Sequence, residues 1–186
     1  MAPLELSNKH LEKRDIPVVV NSYYSLSNVT VLNLSDNCLC PESFRMLFHN
    51  ITSSETLHTL VLSDNLLAPE GCVFLGDFVR RSPRLAVLGV ENCKMGDRGL
   101  RFLNHATHKH PGLARVDLQK NKIHDGPMLD FLWSFSTCPE RQTASIDDNP
   151  LDAALIFAVL LLMRLEAHVT LSPRFPKTRN EEKFSQ

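Results

Sequence analysis

The chain lacks most of the sequence features that mark enzymes and membrane proteins. Its seven glycines are scattered through 186 residues, so no glycine-rich turn gathers backbone N–H groups around a phosphate. The nearest approach, Gly96-Asp97-Arg98-Gly99, is without the Lys-Ser/Thr that a P-loop needs. No Gly-x-Ser-x-Gly elbow presents a nucleophile. The longest apolar run, Ala153 to Met163, is eleven residues, against ~20 for a helix that crosses a bilayer. Neither sign of charge is in excess, with 20 basic and 21 acidic residues and a net charge of −1, which argues against a basic nucleic-acid-binding face. Met1 to Lys9 contain no apolar signal core. A cytosolic or nuclear setting is therefore expected rather than secretion, with the sequons Asn28-Val29-Thr30 and Asn50-Ile51-Thr52 carrying no glycan.

What the chain does have is a period. Asn37, Asn65, Cys93, Asn121 and Asn149 follow one another at intervals of 28 residues. Eight, five and three residues before each, and two after, lie Val29, Leu32, Leu34 and Leu39, then Leu57, Leu60, Leu62 and Leu67. Leu85, Leu88, Val90 and Met95 follow, then Leu113, Val116, Leu118 and Ile123, and last Arg141, Ala144, Ile146 and Leu151. The pattern is LxxLxLxx(N/C)xL. Extended back to Lys9, the register recovers Leu4, Leu6 and Leu11, so a sixth, degenerate copy starts almost at the first residue.

Side chains alternate across a strand, so Leu60 and Leu62 face inward while Thr59, Val61 and Ser63 face out. The Asn follows where the chain leaves the strand, placed to satisfy buried backbone groups of adjacent turns; Cys93 is a weaker donor in that place. Beyond it, Phe44, Leu47, Phe48 and Ile51, and in the last copy Ile156, Val159, Leu160 and Met163, form one stripe of a helix. Pro41-Glu42 and Pro69-Glu70 mark helix starts, where proline's missing N–H costs nothing and an acid meets the positive helix end.

A 28-residue period with a full helix, and the runs Leu-Ser-Asp-Asn at 34–37 and 62–65, resemble the ribonuclease-inhibitor-like class of leucine-rich repeats over residues 1–171. The resemblance implies an α/β fold: a right-handed solenoid of about six coils, with a parallel inner sheet and outer helices. It also implies the functions known in that class, among them nuclease inhibition, sensing in NOD-like receptors, actin capping and activation of the GTPase Ran. Residues 172–186, with Pro173, Pro176 and the mixed-charge run Lys177 to Lys183, break the pattern and read as a flexible tail.

No catalytic constellation emerges, and neither an enzyme nor a cofactor is expected. His105, His108 and His110 could suggest a metal, but they fall at a repeat-helix end, where cationic side chains suit the dipole, and no metal site is assigned. Cys38 and Cys40 flank the core position Leu39 and read as packing residues; five cysteines, an odd number, fit reduced thiols. Asp148 occupies the place of Asp36 and Asp64 and reads as a repeated turn residue rather than half of a catalytic pair with Asp147.

The surface left for function is the concave side of the sheet. Its outward residues run Val31, Asn33, Ser35; Thr59, Val61, Ser63; Val87, Gly89, Glu91; Arg115, Asp117, Gln119; Thr143, Ser145, Asp147. This face is expected to bind a partner protein, making the chain an adaptor within an assembly; a small-GTPase regulator or a cytoskeletal subunit is the alternative. Second contacts are expected at two ends. The last repeat helix carries apolar Leu155, Phe157 and Leu161 off its core stripe, to be covered by Phe175 and a closing strand at 168–171 or by a partner. The first coil has no separate cap, so Leu4, Leu6, Ile16 and Val19 are expected at an uncovered face. No nucleic acid or membrane is expected to bind.

Overall fold

A computed structural model of the chain describes residues 2–26, 28–51, 55–108, 110–136, 142–152, 154, 156, 161 and 169–171. The strands are β1 (Ala2–Glu5), β2 (Val29–Asn33), β3 (Thr59–Val61), β4 (Val87–Gly89), β5 (Arg115–Asp117), β6 (Gln142–Ser145) and β7 (Val169–Leu171), the first six within the repeat frame. Between them lie α1 (Ile16–Ser25), α2 (Pro41–Asn50), α3 (Ala68–Arg80), α4 (Gly96–Thr107) and α5 (Asp125–Ser136). Among the described residues the strands form one sheet in chain order, every neighbouring pair parallel. Register repeats as the sequence does: Leu32 lies beside Leu60, Leu60 beside Leu88, Leu88 beside Val116 and Val116 beside Ala144. The result is a parallel α/β repeat with a solenoid-like plan, and the expected closing strand is β7.

The helices cover one face of this sheet. Leu32, Leu60, Leu88, Val116 and Ala144 are fully buried, in one core with Phe44, Leu47, Phe48 and Leu75. Phe48 of α2 stacks on Phe78 of α3, ring centroids 4.8 Å apart, so adjacent repeats interlock between helices as well as strands. Burial of so many aliphatic groups supplies the bulk of the stability, at roughly 25 cal/mol per Å² of apolar surface.

The asparagine positions join one repeat to the next. Asn121 Nδ2 donates to the carbonyls of Val90 (2.7 Å), Leu118 (3.1 Å) and Gln119 (2.9 Å), while its Oδ1 accepts the N–H of Cys93 (3.0 Å) and Met95 (3.3 Å). Asn149 repeats this one unit on, donating to Leu118 and Ile146 and accepting from Asn121 and Ile123. Asn37 and Asn65 do the same against their preceding units. Cys93 fills the position with less. Its Sγ lies 3.4 Å from the carbonyls of Leu62 and Glu91, and burial pushes its thiol up to about 12, which keeps it a neutral, weak donor.

The residue before each of these positions takes a left-handed backbone: Asn8, Asp36, Asp64, Asn92, Lys120 and Asp148 all have φ between 51° and 57°. Asn and Asp tolerate that region best among residues with a Cβ, so the repeated acid is a turn residue, as its spacing suggests. Two helix starts use the same conformation, at Ala68 (φ 54°) and, 28 residues on, at Gly96 (φ 59°).

Three expectations need correction. The first repeat is not uncovered: a 3-10 turn at Lys13–Asp15 leads into α1, and Ile16 (0% exposed), Val19 (3%) and Leu4 (8%) all belong to the core. Tyr24 of α1 donates its hydroxyl to the carbonyl of Asn50 at 2.8 Å, tying the first helix to the second. His110 is not a solvated cation at a helix end. It is buried, with Nε2 3.2 Å from the carbonyls of Val79 and Ser82, while Nδ1 accepts the N–H of Leu113 at 3.1 Å. Burial holds it below the ordinary imidazole value. Nor do Cys38 and Cys40 pack into the core: Cys38 is exposed, and Cys40 caps α2 by accepting from the backbone of Ser43.

Of the last repeat helix, Leu155 and Phe157 lie outside the described residues, as does the tail at 172–186; Leu161 is 48% exposed. No helix of the described residues is long and apolar enough to cross a membrane.

Two measurements check this reading of the framework. Asn121→Ala is expected to lower unfolding free energy by roughly 1–3 kcal/mol through unpaired buried backbone groups, and Cys93→Ala to cost clearly less, both by chemical denaturation. Ala68→Gly is expected to stabilise by about 1 kcal/mol, because glycine adopts the left-handed region without strain; a midpoint unchanged or lowered contradicts it.

Candidate interaction surface

The face of the sheet away from the helices is built by the other half of each strand's alternation. Register sets Val31, Thr59, Val87, Arg115 and Thr143 side by side, and Asn33, Val61, Gly89, Asp117 and Ser145 in a second row. A third row, Ser35, Ser63, Glu91, Gln119 and Asp147, stands where the strands end. Arg115 is exposed and most of the others are half-buried, because neighbouring strands are only about 4.8 Å apart and their side chains shade one another. Ser145 on β6, beside Asp117, is 5% exposed and offers little surface. Gly89 is buried too: a Cβ there would lie 3.2 Å from Val61 Cγ1, so the residue is small because the neighbouring strand already fills the space.

Local hydrogen bonds order these side chains. Asn33 Oδ1 accepts from the backbone and hydroxyl of Ser35 (3.0 and 2.7 Å). Asp117 accepts from the Gln119 backbone at 3.2 Å and from its side-chain amide at 3.3 Å. Lys120 Nζ meets Glu91 Oε1 at 2.5 Å, and Asn92 Nδ2 donates to Asp64 Oδ1 at 2.8 Å, each linking one repeat to its neighbour. Partial burial raises the Asp117 carboxyl above its ordinary range; the Gln119 N–H works against this, and nearby Glu91 adds to it.

At the amino ends of β2 and β3 the face opens into a cavity of about 610 Å³ lined by Asn28, Thr30, Val31, Thr56, His58 and Arg84. Of these, only Val31 follows from simple alternation. The two residues between the first leucines of LxxL leave open which of them faces out. The recurrence of polar Thr30 and His58 at one repeat offset is the signal that could have marked it.

The candidate metal cluster does not assemble. His105 is exposed, His108 Nδ1 lies 2.9 Å from Ser134 Oγ, and His110 is buried against backbone. Among the described residues no group of three His, Cys, Asp or Glu side chains could hold a metal ion.

In comparisons with known proteins, no family model and no curated protein matches the chain.

The pH dependence of Asp117 follows from its burial. A carboxyl that titrates above its ordinary value fits the fold better when protonated. Its contribution is therefore full below the ordinary carboxylate range and is lost as pH rises through the folded-state value. Asp117→Asn is expected to raise stability at neutral pH relative to the parent, with the difference vanishing in acid. Thermal melts across pH check this, and a parallel offset at every pH would contradict it.

Proposed function

We propose that the chain is a leucine-rich repeat protein of the ribonuclease-inhibitor-like class and a non-enzymatic adaptor. In this reading it holds a partner protein against the concave, helix-free face of its sheet. The observation that carries the reading is a continuous surface from β2 to β6, whose side chains the core does not use. Its polar groups are pre-ordered, by the Asn33–Ser35, Asp117–Gln119 and Glu91–Lys120 contacts, so a partner orders few new rotamers on binding. Repeat solenoids present such extended surfaces because each strand adds one more row.

The test is capture. A chain carrying Arg115→Glu and Asp117→Lys is expected to remain folded, as circular dichroism and a cooperative melt check, and to lose its principal bound protein. If the folded double variant retains every protein that the parent captures, the contact lies on helices or loops instead.

A further inference from the structure

Charge is unevenly placed along the strand direction. In the segments that lead into β3 and β4 and at the first outward position of β5 stand Glu55, His58, Arg81, Arg84 and Arg115, and among the described residues no carboxylate lines the cavity there. Glu55, exposed, precedes Thr56 and is not part of the lining. Among the described residues neither Arg84 nor Arg115 lies within ion-pair distance of a carboxylate. At the carboxyl ends of the strands stand Asp36, Asp64, Glu91, Asp117, Asp147 and Asp148, with Lys120 held by Glu91. Lys94 lines a second cavity there with Asp64 and Asn92, and Lys122 follows later in the sequence. The cavity at the amino ends thus carries Arg84 without a carboxylate, while at the carboxyl ends the acids outnumber the lysines beside them.

A partner laid across that face meets both fields. Opposite charges set orientation and encounter rate more than raw affinity, and a guanidinium presents a planar fork to a carboxylate. Resting on the reading of this face as the binding surface, we infer that its partner presents an extended, charge-polarised segment. An acidic side chain of that segment enters the cavity against Arg84 and His58, while a basic side chain meets Asp117 near the strand ends. The cavity suits one end: about 610 Å³, walled partly by Val31, with Thr30 and Thr56 beside the cation. Asp117 suits the other: its carboxylate is half-buried and accepts from the Gln119 backbone and side-chain amides at 3.2 and 3.3 Å, with the charge of Arg115, two residues before it, working against the effect of burial. A cation brought there relieves a charge the fold itself disfavours.

The probe is a synthetic peptide with glutamates at one end and lysines at the other, carrying a nitroxide at either end and titrated into the isotope-labelled full chain. Ionic strength is kept low, because exposed charges are screened over about 10 Å at 0.1 M salt. The acidic-end label is expected to broaden the amides of His58 and Arg84 more than those of Asp117 and Gln119, and the basic-end label to reverse the order. Arg84→Glu should weaken the peptide on the order of tenfold, as loss of a charge-assisted contact does, whereas Arg84→Lys should retain the polarity. Binding on the sheet face without end preference would overturn the inference but leave the binding face in place. So would the absence of any binding. Shifts confined to α1–α5 would overturn the choice of face as well.

Discussion

A side-chain amide that faces two repeats at once is the constraint on which the remainder of this structure depends. Asn65, Asn121 and Asn149 are at least 95% buried, with exposures of 5%, 0% and 5%. At each, the amide nitrogen donates to carbonyls of its own turn and of the unit before, and the oxygen receives N–H groups from that earlier unit. Where a parallel strand turns away from its sheet, the backbone leaves donors and acceptors that no ladder partner can reach. Supplying them from one fixed position fixes the offset between units. A slip of one residue would both orphan these groups and turn every leucine to the wrong face.

From that offset the other features follow. The left-handed residue before each asparagine directs the chain out of the sheet, and Asp or Asn stands there in every described repeat except at Lys120. The strands lie in chain order and the helices return along one side, and among the described residues no helix packs on the opposite side. Because register stacks equivalent positions, any bias in composition at one offset becomes a stripe across the face. Arg84 and Arg115 stand toward the amino ends of the strands and Asp64, Glu91 and Asp117 toward the carboxyl ends, each at a repeat offset of its own.

Much of this was legible in the sequence, because the repeat states it several times over. The strand positions, the core stripe from Phe44 to Ile51, the turn role of Asp148 and the inter-unit role of the asparagines follow from period and alternation alone. What was not legible depends on contacts across units that the period does not encode. His110 reads as a cation at a helix end until the carbonyls of Val79 and Ser82, 31 and 28 residues earlier, are seen to enclose it. Cys40 reads as packing until it is seen capping α2, and the cavity by His58 hides in the two-residue gap of LxxL. Ile16 and Val19 looked uncovered because the turn at Lys13–Asp15, which lays α1 over the sheet, carries none of the repeat's leucine spacing. Gly89 and Ser145 sit at outward positions yet are buried, since alternation gives direction and says nothing of how closely neighbours crowd.

The central claim is that buried asparagine amides hold the units in register, and hydrogen exchange of those side-chain amide protons, followed by NMR, tests it most directly. The account expects the Nδ2 protons of Asn65, Asn121 and Asn149 to exchange as slowly as the backbone amides of β3 to β5, opening only with the sheet. Exchange as rapid as that of the exposed Asn50 or Asn92, with the strand amides still protected, would contradict it.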